Sequence, residues 1–583
     1  MKDYLEKYII SILLENEMSF DQELLGKSQE HFHKLDFIIK SAVYVYLFII
    51  NFLAICFCFS SLEKIDSKQL SNLKKKLFFF NFFIDKIDQA LFLIVSIHAL
   101  GEEKIERLNL EQPPEEKSST FSKFIVLGSG PTGAVTALEL EKKYPGEVLL
   151  IEKGYSHSIP QSKHPGDEFI KKWYRGGINS TYFPEMVAYT SGECFGGGSE
   201  INSGLYHEPD EEFLLRWGKE FGTKDLNILS LKKHINRVSK LTTKDDTKKT
   251  LFSKKFEKGA LALSHNYSYL PRFVDSNGKK NSMSKTLLKE YLNLNGKLKL
   301  GEEIEKISYE KGKWTLKPLE NEMVYSCEKL FLCCGSVFTN NLLIKNKIVK
   351  RNKNHLRSFK FHPMIKVIAA YQEELQELND DVVADQNIEF YPSFIIGNAS
   401  SSLQFLVTSF QKDKNIKAFI LDNWRKMKTF HATFALGKGK IYNIPFLKDP
   451  ILTYHLSSSD KKTLYEGFNS MLDFVKNTDA SYILPIHNKV RFKKVENEYE
   501  IGLDQTKNIK GFQLSSVHIL GGVTMGENNN CIVDSYGKVF EAEDLYVNDS
   551  SLINTPLLKN PQGTVMAIAS RNIENFIREY ELH

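Results

Sequence analysis

The stretch FIVLGSGPTGAVTALELEKKYPGEVLLIEKG, residues 124 to 154, decides the fold of this chain. Its first apolar run, Phe124 to Leu127, predicts a buried strand, and a helix-forming run leads from there to a second apolar strand, Val148 to Ile151, which ends at Glu152. Between the first strand and the helix stand three glycines: Gly128, Gly130 and Gly133. This order is that of a dinucleotide-binding βαβ unit.

Each residue of that unit has a physical task. The first glycine makes the tight turn, the second lets the backbone approach a pyrophosphate, and the third lets helix and strand pack closely. The phosphates lie at the helix N-terminus, where free N–H groups and the helix dipole favour negative charge. Glu152 is placed to accept a hydrogen bond from a ribose hydroxyl. We therefore predict Gly128, Gly130, Gly133 and Glu152 as cofactor-binding residues.

Length and composition narrow the class of protein. The chain has 583 residues, which exceeds what one core usually organises, so two or three domains are expected. Its net charge is +5 from 77 basic and 72 acidic side chains, and this near balance predicts no nucleic-acid partner. The seven cysteines fit neither a disulfide framework nor a zinc site, so we expect a reducing compartment and no metal.

The N-terminal hundred residues differ from the rest, being rich in Phe, Ile and Leu and free of proline. The run from Ser41 to Leu62 carries no charge and is long enough to cross a bilayer. The next apolar stretch, Leu77 to Leu100, is interrupted by charges and favours a helical cap with a buried central helix instead. Both alternatives stay open. If the run spans a membrane, the lysines that flank it predict that the rest of the chain lies on the cytoplasmic side. If it is a buried helix of the cap, we expect a cytoplasmic protein.

Two further blocks suggest a ligand site. Residues 191 to 208, SGECFGGGSEINSGLYHE, form a loop whose backbone can lie flat against a planar ligand, although a flexible turn explains the glycines equally well. Near the C-terminus, His518 precedes two glycines, a short strand delivers Asp549, and Asn560-Pro561 precedes a helix. A histidine in a pocket is the usual general base near pH 7.

Together the three blocks resemble the glucose–methanol–choline (GMC) family of flavoenzymes over residues 122 to 583. GSGPTG with Glu152 is similar to the family's FAD fingerprint, GGGSEIN to its flavin-covering signature, and the block that starts HILGG at His518 to its C-terminal signature. The chain looks most similar to the long-chain alcohol oxidase and cholesterol-oxidase-like branch.

The resemblance implies FAD as the cofactor and assigns roles to individual residues. His518 and Asn560 take the catalytic positions. The residues implied at the cofactor, besides those of the βαβ unit, are Gly197, Gly198, Ser199, Asn202, Asp549 and Pro561. Departures such as Ile519, where many relatives have proline, and Gln562, where many have threonine, concern the substrate and remove no catalytic group.

The implied fold is α/β: a Rossmann-like FAD-binding domain of GMC type, an α+β substrate domain built on an antiparallel sheet, and an all-α N-terminal segment. We predict a helical segment and linker at 1–118, FAD-binding parts at 119–210, 296–350 and 511–583, and substrate parts at 211–295 and 351–510.

The expected activity is FAD-dependent oxidation of a lipophilic alcohol, long-chain or sterol-like, to an aldehyde or ketone, with O₂, a quinone or a carrier as electron acceptor. One alternative is a sugar or polyol dehydrogenase. Another is a pyridine-nucleotide-dependent flavoprotein reductase, which needs a second GxGxxG unit that we do not find. A third is a non-catalytic membrane-tethered flavoprotein, which needs neither His518 nor Asn560.

Overall fold

The computed structural model describes residues 2–15, 22–58, 61–65, 69–70, 73, 81–99, 116, 119–157, 166–244, 249–375, 383–410, 413–445, 447–487, 490–495, 498–503, 511–553, 555 and 557–582. The end of the uncharged run, at 59–60, and most of the predicted linker lie outside these residues.

The helices are α1 Lys2–Glu15, α2 Gln22–Lys34, α3 Phe37–Cys58, α4 Asn81–Ala99, α5 Pro131–Lys143, α6 Asp167–Lys172, α7 Gly198–Ile201, α8 Glu211–Phe221, α9 Ile228–Ser239, α10 Leu251–Ala262, α11 Leu287–Asn293, α12 Ser336–Lys345, α13 Lys353–Leu356, α14 Leu403–Thr408, α15 Lys414–Asn423, α16 Ser458–Lys476 and α17 Gln562–Leu582. The strands are β1 Phe121–Leu127, β2 Val148–Ile151, β3 Val187–Tyr189, β4 Tyr267–Tyr269, β5 Lys297–Lys299, β6 Ile304–Glu310, β7 Lys313–Pro318, β8 Tyr325–Leu332, β9 Ser358–Phe361, β10 Met364–Ala370, β11 Asp385–Asn387, β12 Phe394–Ala399, β13 Met427–Phe434, β14 Lys438–Tyr442, β15 Ile451–His455, β16 Tyr482–Pro485, β17 Val490–Val495, β18 Glu498–Leu503, β19 Leu514–Ser516, β20 Ile519–Leu520 and β21 Leu545–Val547.

A seven-stranded sheet contains the predicted βαβ unit and confirms the α/β class. Its order is β5-β2-β1-β8-β7-β6, and β21 pairs with β8. The pairs β5-β2, β2-β1, β1-β8 and β8-β21 are parallel. Alternate residues of β1 face opposite sides: Phe124 packs towards α5 and α17, while Ile125 packs towards Trp217 of α8. Both faces of this strand are therefore buried, which explains its continuous apolar run.

An eight-stranded sheet forms the second layer, in the order β3-β19-β10-β13-β12-β11-β4 with β16 added to β10. β10 and β13 pair antiparallel over their full length, as the sequence predicted for the substrate domain. One face carries Val367 and Phe430, which pack with α10 and α16 into an apolar core. The other face is shared between a large cavity and the N-terminal helices. Smaller sheets join β15-β14-β9-β20 and β17-β18.

The helical cap, our name for α1 to α4, packs against the main body at residues 119–582. Apolar side chains of the cap share one core with Ile368, Met427 and Leu484 of the eight-stranded sheet. Polar contacts also join the two parts: Lys27 Nζ to Asp167 Oδ1 at 2.9 Å, His31 Nε2 to the Gly176 carbonyl oxygen at 2.7 Å, Asp36 Oδ2 to Arg175 Nη2 at 2.7 Å, and the Tyr182 hydroxyl to Asp36 Oδ1 at 2.9 Å.

Helix α3 has features of both alternatives drawn from the sequence. Val43, Leu47 and Ile50 are buried against the cap, whereas Phe48 and Phe52 are 63% and 58% exposed. Among the described residues, Phe37–Ile55 is long and apolar enough to cross a membrane, and 28% of its most apolar window is buried. One face of helix α3 therefore packs against the rest of the cap, and the other face is exposed.

Candidate active site

A cavity of about 2380 Å³ is lined by residues of both large sheets. The predicted site residues that line it are Gly128, Gly130, Glu152, Gly197, Gly198, Asn202, His518, Asp549, Asn560 and Pro561. Gly133 and Ser199 do not line it. The structure therefore brings together three blocks that are up to about 400 residues apart in the chain.

The glycines of the cavity divide into packing and open positions. A Cβ on Gly133 would stand 1.9 Å from the Gly128 carbonyl oxygen, so this glycine lets helix and strand pack. A Cβ on Gly130, Gly198 or Gly335 would have no atom within 4 Å. These three open positions border the cavity, and Gly130 caps the N-terminus of α5. The space fits a pyrophosphate held against backbone N–H groups, which is the cradle that FAD requires.

Glu152 is bound mainly by the protein itself. Its carboxylate accepts hydrogen bonds from the Ser129 backbone N–H at 2.8 Å, the Ser129 hydroxyl at 2.7 Å and the Gly154 backbone N–H at 2.8 Å. Burial raises the pKa of Glu152, and these donors oppose the rise. A carboxylate has about four acceptor positions, so roughly one is left for a ribose hydroxyl.

Asp549 uses its acceptor positions to hold the neighbouring turn. One oxygen accepts from the Gly335 N–H at 2.8 Å and the Thr339 hydroxyl at 2.5 Å. The other accepts from the N–H and hydroxyl of Ser551, at 2.8 and 2.5 Å. Burial raises the pKa of Asp549 and the four donors lower it. Asp549 therefore fixes Gly335, which adopts φ +83° and opens towards the cavity.

The glycine loop at 191–208 is tied to both of the other blocks. A Cβ on Gly197 would lie 2.7 Å from Gly130 Cα, so the two glycine loops touch. The Asn202 side-chain amide donates to Gln562 Oε1 at 2.6 Å. Ser199 faces away from the cavity, because its hydroxyl donates to the Gly196 carbonyl and accepts from the Met283 N–H. The predicted flavin-facing role of Ser199 stays a prediction.

His518 and Asn560 stand side by side, with 3.5 Å between Nε2 of His518 and Nδ2 of Asn560. His362 Nδ1 lies 2.9 Å from His518 Nδ1. His207 supports Asn560, since its Nδ1 accepts the Asn560 backbone N–H at 3.2 Å while its Nε2 lies 3.1 Å from Gln386 Oε1. This second bond fixes the proton of His207 on Nε2.

All three histidines are neutral at pH 7. Burial lowers the pKa of His518 to about 4 and that of His207 to about 4, and it holds the pKa of His362 well below its ordinary value. A neutral imidazole has a free lone pair and can accept a proton. The sequence singled out neither His207 nor His362, although the first lies in the glycine-loop block and the second heads the stretch HPMIKV.

Part of the cavity wall is formed by the face of the eight-stranded sheet that lies away from the Val367 and Phe430 core. Its lining includes Met364, Lys366, Thr429, His431 and Thr433. Burial, with a contribution from Lys366, lowers the pKa of His431 to about 3. Sequence reasoning found none of these residues, because strand register brings them together.

Another part of the lining is apolar. It includes Leu93 from helix α4 of the cap, together with Phe169, Trp173, Leu403 and Phe405. The rings of Phe169 and Trp173 stack with 4.8 Å between centroids, and Phe405 meets Phe169 edge-on at 6.1 Å. The cap therefore contributes to the cavity as well as to the outer surface.

Comparison with known proteins places these features in a family. The N-terminal and C-terminal models of GMC oxidoreductase match residues 122–364 and 447–569. An uncharacterised GMC-type oxidoreductase of Sinorhizobium fredii is 25% identical over 474 residues, which are 77% of this chain and 93% of that protein. A long-chain-alcohol oxidase of Arabidopsis thaliana is 22% identical over 499 residues, covering 76% of this chain and 67% of the relative.

Two solved structures share the fold of this chain. Pyridoxine 4-oxidase from Mesorbium loti superposes with a TM-score of 0.61 at 12% identity, over 79% of this chain and 99% of that chain. A formate oxidase of Aspergillus oryzae, studied for modification of its FAD, superposes with a TM-score of 0.62 at 15% identity, over 80% and 99% of the two chains.

Proposed function

Since this chain belongs to the GMC oxidoreductase family and is an FAD-dependent oxidoreductase, we propose that it oxidises the CH–OH group of a lipophilic alcohol to an aldehyde or ketone. The observation that carries the proposal is the pairing of His518 with Asn560 in the cavity that the open glycines border. FAD bound in this cavity would supply the hydride acceptor. The protein supplies the proton acceptor and the orientation.

His518 is the proposed proton acceptor. It is neutral at pH 7, so its Nε2 can take the hydroxyl proton of an alcohol placed beside Asn560. For Nε2 to be free, the His518 proton must sit on Nδ1, from where it donates to His362 Nδ1. That tautomer leaves the proton of His362 on Nε2, a buried atom with no partner among the described residues. His362 thus acts as a positioning residue for His518.

Asn560 is the proposed donor to the substrate oxygen. Its side-chain N–H groups lie beside His518 Nε2, and its backbone is held by His207. A hydrogen bond to the oxygen orients the alcohol and opposes its movement away from the base. Positioned acid–base catalysis of this kind is worth about 10²–10⁴-fold in rate.

A lipophilic substrate is supported by the apolar part of the lining, with Leu93, Phe169 and Phe405, and by the names of the plant relatives, which are long-chain-alcohol oxidases. We propose O₂ as the electron acceptor because those relatives and both structural neighbours are named oxidases. A quinone or protein carrier is the alternative that the assay below distinguishes.

The test is anaerobic mixing of the purified flavoprotein with a panel of alcohols while the visible flavin absorbance is followed. We expect bleaching by alkanols and recolouring by air. His518→Ala should keep its FAD and lose about 10²-fold or more in the rate of bleaching, and Asn560→Ala somewhat less because water can substitute. His355→Ala, at an exposed histidine, is the matched control. Normal bleaching by the His518 variant would remove it from the catalytic role, and recolouring only by a quinone would make the enzyme a dehydrogenase.

We also propose that the exposed face of α3 lies in the interface of a membrane, with the main body on the cytoplasmic side. Support comes from its apolar side chains at Val45, Phe48, Phe52 and Ile55, each at least half exposed. A helix with one face packed on its own protein can insert the other face into the headgroup region without leaving the fold.

Cell fractionation tests this location. The enzyme should sediment with membranes and resist a salt wash, because apolar contacts are not screened by salt. Phe48→Asp together with Phe52→Asp should release it into the soluble fraction with FAD and activity intact, whereas Lys462→Asp with Lys476→Asp, on the exposed surface of α16, should not. A fully soluble wild-type enzyme would contradict the proposal.

A further inference from the structure

Lys366 lines the cavity on the part of its wall that the eight-stranded sheet forms. It belongs to β10 and stands directly across from His431 of β13 in the antiparallel register. Directly opposed residues of such a pair share a face of the sheet, and this face lines the cavity. Its neighbour Val367 points to the other side, into the apolar core.

No counter-ion accompanies this lysine within the described ranges. Neither an ion pair nor a hydrogen bond is formed by its Nζ there, and burial is the one cause that lowers the pKa of Lys366, to about 8. The side chain is therefore mainly protonated at pH 7. A partly buried cation without a partner is unfavourable, so the site favours a ligand that brings a negative charge.

Two other lysines, each at least partly buried, have acidic partners among the described residues. Lys153 pairs with Glu193 at 3.0 Å, and Lys255 pairs with Glu373 at 3.2 Å. Glu152 and Asp549, two buried carboxylates of the cavity, are held by their own backbone and hydroxyl donors. Lys366 differs from these two lysines in having no acidic partner within the described ranges, which leaves it available to an anionic ligand.

We propose that Lys366 binds an anionic group of the substrate, so that the preferred alcohol is a hydroxy acid. The inference rests on the proposed function, because it assigns the substrate class of the same cavity. A carboxylate fits better than a phosphate, since His431 is neutral and adds no second positive charge. Its ring is already bonded to the Thr433 hydroxyl at 2.7 Å and to the backbone of Asn398.

The position of Lys366 along β10 sets the spacing of the two groups. Met364 begins the strand two residues after His362, whose ring contacts His518, and Lys366 follows Met364 by two more residues. Two residues of strand extend about 7 Å, and the lysine stem lengthens the reach. The carboxylate and the carbinol carbon are therefore separated by several carbons, so ω-hydroxyalkanoates should be better substrates than 2-hydroxy acids.

The experiment compares ω-hydroxyalkanoates, their methyl esters and alkanols of equal length as reductants of the holoenzyme. The wild type should show a higher kcat/KM for the acids than for the esters and alkanols. Lys366→Met should lose about 10- to 100-fold on the acids, the usual worth of a charge-assisted hydrogen bond, with little change on the alkanols. Lys366→Arg should restore part of the loss, and Lys440→Met, at an exposed strand lysine, is the control.

Binding without turnover separates this inference from the proposed function. Hexanoate has no hydroxyl, so its binding does not depend on alcohol oxidation, and it should raise the Tm of the wild-type holoenzyme but not that of Lys366→Met. Equal losses of kcat/KM on acids and alkanols in Lys366→Met, or no shift of Tm with hexanoate, would overturn the anion site. If no alcohol reduces the flavin, but hexanoate still raises the Tm of the wild type and not that of Lys366→Met, the proposed function fails and the anion site stands.

Discussion

Gly130 and Gly133 are three residues apart, and the same substitution should affect them in opposite ways. Gly130 has φ −60° and ψ −178°, a conformation that alanine adopts without strain, and its added Cβ would meet no atom within 4 Å. We therefore expect Gly130→Ala to raise the free energy of unfolding of the FAD-free protein by about 0.4–1 kcal/mol, because alanine restricts the unfolded chain.

The same methyl group would occupy the space where we expect the pyrophosphate. Losing one or two charge-assisted hydrogen bonds from backbone to phosphate, each worth about 1.5–3 kcal/mol, should weaken FAD binding by about 10²-fold or more. Gly130→Ala should thus be a stable protein that purifies with little flavin.

Gly133→Ala should instead damage the fold itself. Its Cβ would lie 1.9 Å from the Gly128 carbonyl oxygen, which belongs to backbone and cannot swing away. Helix α5 would have to move off β1, and overpacking of this kind costs about 1–3 kcal/mol or more.

Urea unfolding of the FAD-free proteins, followed by tryptophan fluorescence, gives the two free energies, and titration with FAD gives the affinities. A full complement of FAD in purified Gly130→Ala would refute the view that the cavity at this position receives the phosphates. Wild-type stability of Gly133→Ala would refute the packing argument.

Two further predictions concern stability. Burial lowers the pKa of His31 and His207 from 6.5 to about 4, so both are neutral in the folded protein and take up protons on unfolding below pH 6.5. The free energy of unfolding should therefore be highest above pH 6.5 and fall towards pH 4. Each histidine should contribute a fall on the order of 3 kcal/mol. A flat urea midpoint across that range would contradict this. Asp36→Asn removes one of two carboxylates that pair with Arg175, the other being Asp449 at 2.8 Å. It should cost about 1.5–3 kcal/mol, the worth of a hydrogen bond to a charged group, and speed proteolysis of the cap. Glu466→Gln, in an exposed pair, should change stability by less than about 1 kcal/mol, and equal effects would argue against a cap held by charge.

The parts of the fold and site that the sequence predicted are those encoded by neighbouring residues. The βαβ unit was readable because strand, glycines, helix and second strand follow one another in the order that the phosphate site needs. His518 and Asn560 were predicted because both lie in one C-terminal block of sequence that resembles the family's signature. The antiparallel substrate sheet was expected from the family resemblance and is observed at β10 and β13.

What the sequence did not predict depends on contacts between distant residues. His362 and His518 meet across 156 positions, and His207 reaches Asn560 across 353. Nothing in the sequence distinguishes Lys366 from the other lysines. The strand register places it opposite His431 in the cavity. Asp549 also has a function that its sequence position did not predict, because its oxygens hold Gly335 and Ser551; its contact with the cofactor stays a prediction.

The shared core of the cap and the eight-stranded sheet has a consequence for synthesis at the ribosome. Leu47 and Ile50 leave the ribosome hundreds of residues before Leu406, Met427 and Leu484, with which their core is completed. At about 5–20 residues per second, the cap waits for tens of seconds with an uncovered apolar face. A chaperone or a lipid surface that shields this face during translation would raise the yield of folded enzyme, and a chain begun after the cap would expose the corresponding face of the sheet permanently.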